Sequence, residues 1–295
     1  MSTVIAPSIS QRVRDFFNFE VVKLPLSGPE GMPTGVYGLW RDDQREMLGS
    51  GSVTSRYIPH TTDDVCVLAE RAEAIFDGNA QVDCHFADGH YLTVCPSDAH
   101  RVSIFGTSDN IFPRLLIRAG LDGESFKVIM GFYRDACDNL SMLRTVDAVT
   151  VSIRHTKQLR GKIEDLKRQF SLLERGWENT IASIRGMQNR QVQLRDFLLE
   201  VYPIPTGANA TDEKLAKHLE QLTLMMSRVA DERLATGRPN FDANYTVSAW
   251  EAYNAVQGYV QHEKTRRNLT SDFQRILKAS ADKDVKRAEQ LALAV

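Results

Sequence analysis

The apolar residues of this chain change their spacing once, and that change decides the fold class. Across residues 35–132 they come in short runs, VYGLW, SVTSRYI, QVDCHF, HYLTV, RVSIF, RLLIR and SFKVIMGF, rich in β-branched and aromatic side chains and separated by Gly, Asp and Ser. That is strand texture. Further on they fall at Leu159, Ile163, Leu166, Phe170, Leu173 and Trp177, in alternating steps of four and three, and continue through Ile181, Ile184, Met187, Leu194, Leu198 and Val201. Such a seam marks a helix with coiled-coil spacing. The expected class is α+β: a mainly antiparallel sheet with one or two helices in the N-terminal half, then long, partly coiled-coil-like helices in the C-terminal half.

Local signals refine this outline. One helix interrupts the strands near residues 62–76, with Val65, Leu68, Ala69, Ala72 and Ile75 on one face and Thr61 or Thr62 as its cap. Asp88-Gly89 and Asp122-Gly123 are hairpin cues. A two-residue turn at Asp88-Gly89 puts Cys84 and Cys95 on one side of its hairpin, and His85 and His90 on the other. The stretch PLSGPEGMPTG at residues 25–35 has the turn chemistry of a loop. Residues 1–35 are therefore expected to be a flexible segment, 36–150 an α+β domain, and 151–295 a helical region packed on it or extending from it. Unbroken, a helix over residues 155–201 extends about 65 to 70 Å. YPIPTGANAT at residues 202–211 ends it, and further helices are expected at 212–235 and from 247 onward.

Composition narrows the function classes. Residues 1–150 carry 13 Lys/Arg against 20 Asp/Glu, and the remainder 23 against 18, so the back half is mildly basic. No run approaches the roughly 18 apolar residues of a membrane helix, and no basic-then-apolar leader opens the chain, so a soluble, cytoplasmic protein without a membrane partner is expected. Cys66, Cys84, Cys95 and Cys137 lie far apart in a chain large enough to fold without staples, which predicts free thiols.

Most suggestive motifs lack a required part. GSGSVTSRY at residues 49–57 precedes a strand pattern and has no Lys-Ser/Thr pair, which excludes dinucleotide and Walker chemistry. CHFADGHYLTVCPSDAH at residues 84–100 has the composition of a metal site without its spacing, and neither a metal nor a cofactor is expected. Hydrolase motifs are absent, so no catalytic residue is assigned. Two basic stretches remain. Residues 154–168 hold six Lys/Arg against two acids, and 264–287 eight against three, either of which suits a phosphate backbone or a solvated helix face. Trp250, Tyr253 and Tyr259 have rings able to stack on bases, although an aromatic stripe at helical spacing is more often packing.

Three blocks occur in order: Arg134-x-x-Cys137-x-Asn139, Arg154-His155-Thr156, and Trp250-x-x-Tyr253-Asn254-Ala255-x-x-x-Tyr259-x-x-His262. Together with Arg41-Asp42 upstream and the turn at Asp122-Gly123, they resemble the phage/plasmid-like protein family, a domain family of unknown function. The resemblance implies a mobile-element setting among DNA-metabolism genes and no particular chemistry. Asp138 or Asn139 is read as the cap of a helix starting after Asn139, whereas Arg134 requires an anion. Asn254, Gly258 and His262 are read as one helix face. The leading functional expectation is single-stranded DNA binding, extending to annealing or recombination, with Arg134, Arg154, Lys157, Arg160 and Lys162 on phosphates and a homo-oligomer built through the seam. The alternative is a non-enzymatic scaffold that self-associates through residues 155–201.

Overall fold

The computed structural model describes residues 7–48, 52–76, 78, 80–86, 89–96, 101–121, 126–134, 139–141, 150–153, 161, 176–207, 210–239, 241–264, 279 and 281–294 of the 295. In chain order these form α1 (Ile9–Phe16), β1 (Val21–Ser27), β2 (Pro33–Arg41), α2 (Thr62–Ile75), β3 (Ala80–Phe86), β4 (Gly89–Pro96), β5 (Val102–Ser103), β6 (Asn110–Gly120), β7 (Phe126–Arg134), β8 (Asn139–Ser141) and β9 (Thr150–Ile153). Helix α3 (residues 176–189), β10 (Gln191–Gln193), α4 (Leu194–Val201), α5 (Asp212–Ala235), β11 (Thr246–Ser248), α6 (Ala249–Gly258) and α7 (Lys283–Leu293) follow. The class is α+β with antiparallel pairing throughout, strands mostly early and long helices late.

The chain forms two compact units. The first comprises Met1–His100, Pro113–Met130 and Val149–Arg175; the second comprises Arg101–Phe112, Gly131–Ala148 and Gly176–Val295. The division therefore does not fall once near residue 150.

In the first unit β4 pairs with β3 and β6, and β9 pairs with the start of β7. Its core joins Val65, Leu68, Ala69 and Ala72 of α2 to Leu92 and Val94 of β4 and to Leu115 and Ile117 of β6. Helix α2 begins where its chemistry requires. Thr61 Oγ1 accepts from the Asp64 backbone N–H at 3.2 Å, and the Asp64 carboxylate accepts from the Thr61 N–H at 2.9 Å, a reciprocal capping box.

Three expectations are corrected here. Residues 1–35 were expected to be flexible, yet α1 and β1 occupy much of that stretch, and Ile9, Val13 and Phe17 are buried in the core. Pro25 and Pro33 disguise the strands. They sit at β1's irregular register and at the first residue of β2, two places where a missing N–H is tolerated. SVTSRYI forms no strand: Val53 makes one isolated bridge to Tyr37.

The third correction concerns the β3–β4 hairpin. Phe86 pairs with His90 and Cys84 with Leu92, so the connection is three residues long rather than two. That single residue inverts side-chain parity. Cys84 and His90 consequently share the core face, whereas Cys95 pairs with Gln81, on the face that also carries His85 and Tyr91.

Gly89 is fixed by close approach of backbone. A Cβ added there would lie 2.5 Å from the Ala119 carbonyl oxygen and 2.8 Å from Gly120 Cα. Neither atom can swing away, so Gly89→Ala must separate β4 from β6. The expected loss is about 1–3 kcal/mol, read from the urea midpoint.

The second unit packs α3, α4, α5, α6 and α7 around Trp250, Leu194, Leu198, Met225 and Val256. The seam over residues 155–201 does not form one helix there. Helix α3 stops at residue 189, β10 pairs with β11, and α4 starts afresh at Leu194. Ile184, Met187, Leu194, Leu198 and Val201 face this unit's own core. Heptad spacing is satisfied equally by a neighbouring helix of the same fold.

Candidate functional site

Strand β7 ends on Arg134, whose backbone pairs with Asn139 of β8. Asn139 is thus in a sheet ladder, and the expected helix start after it is replaced by a strand. Arg134 is 1% exposed, so its charge must be met inside the protein. It is met twice. Nε donates to Asp109 Oδ1 at 3.0 Å and Nη2 to Asp109 Oδ2 at 2.7 Å, while Nη1 donates to Glu232 Oε2 at 2.5 Å. Asp109 lies just before β6 and Glu232 near the end of α5, so one guanidinium fork ties two distant segments to the end of β7.

A second cluster adjoins this one through chain neighbours. Glu251, in the first turn of α6, closes a capping box with Ser248: its carboxylate accepts from the Ser248 N–H at 2.9 Å and from the Ser248 hydroxyl at 2.8 Å. The same carboxylate accepts from Arg233 Nε and from Arg238 Nη1, each at 2.7 Å. Burial alone pushes the Glu251 carboxyl up. The hydrogen bonds from Arg233 and Ser248, with the charges of Arg238 and Arg233, outweigh burial and hold it below the usual range. Arg238 also lies 3.6 Å from the centre of the Phe105 ring.

Among the described residues, Arg134, Arg233 and Arg238 are matched by Asp109, Glu232 and Glu251. An ion taken from water without a partner costs several kcal/mol, which favours this charge balance over an open anion site. Arg134 is therefore withdrawn from the set of phosphate contacts.

The remaining motif residues are built into the same unit. Trp250 is fully buried, with its ring 5.6 Å from Phe132, 6.0 Å from Tyr253 and 5.9 Å from the Arg134 guanidinium carbon. It cannot stack on a base in this fold, and neither can the equally buried Tyr253. Asn254 donates from Nδ2 to the Trp250 carbonyl at 2.8 Å. Gly258 lets the Arg228 guanidinium lie against α6: a Cβ there would stand 2.8 Å from its nitrogens. His262 leaves the expected face. Residues Tyr259–Glu263 form a π-helical turn, whose wider winding shifts the phase, so Asn254 and Gly258 are buried while His262 is exposed.

In the first unit Arg41 holds Asp43 with two hydrogen bonds, at 2.9 and 2.6 Å, and its guanidinium lies 3.8 Å from the Phe19 ring centre. Asp42 Oδ1 accepts from the Glu20 N–H at 2.9 Å. Cys137, Arg154, His155, Lys157, Arg160 and Lys162 lie outside the described residues. So does the proximal part of the seam.

Sequence reasoning missed Asp109, Glu232, Arg233, Arg238 and Glu251. The Ser248-x-x-Glu251 pattern was a legible capping signal. The others carried none, because their partners stand far away in sequence.

Comparison with known proteins adds one relationship. A family described as a domain of unknown function, DUF932, matches residues 50–291. No curated protein and no solved structure matches the chain. Both ionic clusters fall inside the matched span, whereas Arg41, Asp42 and the whole of α1 precede it. Among the described residues no helix is long and apolar enough to cross a membrane, and no group of three or more His, Cys, Asp or Glu is placed to hold a metal ion.

Proposed function

The chain belongs to the DUF932 family of domains of unknown function, and from that premise we propose a DNA-metabolism protein of phages or other mobile elements that binds single-stranded DNA. The observation that carries this reading is a contrast of charge. Among the described residues, the guanidiniums of Arg134, Arg233 and Arg238 are balanced by carboxylates, whereas residues 154–168 carry six Lys/Arg against two acids, an excess of four. This stretch follows directly on Ile153, the last residue of β9, which pairs at the start of β7. Arg154, Lys157, Arg160 and Lys162 are the proposed phosphate contacts. Annealing or recombination, self-association and a cytoplasmic location belong to the same proposal. The competing scaffold reading is weakened, since much of its partner surface, Ile184 to Val201, faces the core of the second unit.

Fluorescence anisotropy with a labelled oligonucleotide tests the reading. Four phosphate contacts on a single strand predict a slope of about −2.8 in log affinity against log salt, or about a 50-fold weakening from 50 to 200 mM. Replacing the four residues with Gln is expected to abolish most of that slope. Absent binding at low salt, or binding indifferent to salt, defeats the proposal.

A further inference from the structure

Two histidines of the first unit have no part in the reading above. His60 and His90 are each 1% exposed, and His60 Nε2 lies 2.8 Å from His90 Nδ1, a hydrogen bond between two imidazoles. One ring donates its only proton on that side and the other accepts it, so the contact requires an unprotonated nitrogen. Around them stands a cage of phenylalanines. Phe17 meets His90 edge-on at 4.5 Å, Phe19 stacks on it at 5.7 Å, Phe86 lies 5.1 Å away, and Phe126 meets His60 at 4.8 Å.

Phe17 and Phe19 belong to the segment from α1 to β1, which precedes the family-matched span, whereas both histidines lie within it. The Thr62 hydroxyl lies 3.3 Å from the Phe17 carbonyl and 3.1 Å from that of Phe19, and the Cys66 thiol donates to the Ser10 carbonyl. The N-terminal arm, residues 9–19, is thus fastened over α2 and the β3–β4 hairpin with the imidazole pair at its centre.

We propose that the His60–His90 pair is an acid-sensitive latch, which releases the N-terminal arm from α2 when the pair takes up a proton. Among the described residues, a charge on His90 would meet the rings of Phe17, Phe19 and Phe86 and the Arg41 cation. The Phe19 ring that His90 would stack on already carries the Arg41 guanidinium at 3.8 Å. Arg41 itself is paired with Asp43. Asp42 caps the Glu20 N–H, Asp64 is used in the Thr61 capping box, and Asp63 is paired with Arg14 of α1. From β6 the residue opposite His90 is Ala119. Burial first, then the charge of Arg41, drives His90 down to about 3.

The sign follows from linkage. Above the ordinary imidazole value of about 6.5, docked and released arms bind protons equally. Below it the released state is protonated first, so docking weakens progressively from about pH 6.5 down towards pH 3. Glu20, which burial pushes up, moves the opposite way, but it is solvent-exposed and screened. Between pH 7 and pH 5 the released fraction is expected to rise about 25-fold.

Cys66 reports the release, because α1 covers it. Two single-cysteine proteins are needed, one keeping Cys66 and one keeping Cys95, with the other three cysteines changed to Ala. Each is labelled with 4,4′-dithiodipyridine at pH 7 and pH 5, with rates normalised to a free thiol. The expected result is a rise of about 25-fold at Cys66 and little at Cys95, which lies on β4 away from the arm. In His90→Phe, which keeps a ring but loses that imidazole's titration, the Cys66 rise is expected to diminish. A Cys66 rise below about twofold, an equal rise at Cys95 signalling global opening, or an undiminished rise in His90→Phe would each overturn the latch.

Discussion

Replacing Arg134 with Met is expected to destabilise the second unit by about 3–5 kcal/mol, because it strands two carboxylates in a core that was balanced for them. Asp109 and Glu232 both lose their guanidinium partner, and Asp109 is fully buried. The measurement is urea denaturation followed by far-ultraviolet circular dichroism at pH 7. A loss below about 1 kcal/mol would show that the network is not the tie described. Arg134→Lys should recover only part of the loss, because a point charge with three donors cannot reproduce the fork that reaches Asp109 with two nitrogens and Glu232 with the third. Adding Asp109→Asn and Glu232→Gln to Arg134→Met removes the uncompensated charge and is expected to restore more stability than either added change alone.

The second large effect is expected at Trp250. Its ring is completely buried among Phe132, Tyr253 and the Arg134 guanidinium, so Trp250→Ala deletes a large apolar volume that helix α6 cannot collapse to fill. A cost of about 3–5 kcal/mol is expected from the same denaturation experiment. The two positions should also couple. With the guanidinium 5.9 Å from the indole ring, the double variant is expected to lose less than the sum of the single losses, by about 0.5–3 kcal/mol. Full additivity would show that the cation and the ring act independently.

What could be read in advance was whatever the chain encodes locally. Helix α2 followed from its apolar face, Val65 to Ile75, with Thr61 or Thr62 as cap, and α5 from the helical texture over residues 212–235. Strands β3, β4, β6 and β7 followed from β-branched and aromatic runs. The failures share a cause. The anion that Arg134 required proved to be Asp109 and Glu232, 25 and 98 residues away in sequence, and pairing over such distances leaves no periodic trace. The seam was visible, but its spacing does not say whether the apolar face meets another molecule or the same chain. Strand β1 was hidden because Pro and Gly were read as loop chemistry, although at strand ends and irregular registers they are compatible with a ladder. Trp250 and Tyr253, for which stacking on bases was entertained beside packing, are both buried in the core of the second unit.

The three-residue connection between Phe86 and His90 has an evolutionary corollary. Deleting one residue there would turn every side chain of one strand to the opposite face, driving His90 out of its aromatic cage and Tyr91 into the core. Deleting or inserting two residues preserves parity. Length variation at this turn among natural homologues is therefore expected to occur in steps of two, with the count of residues selected as stringently as their identity.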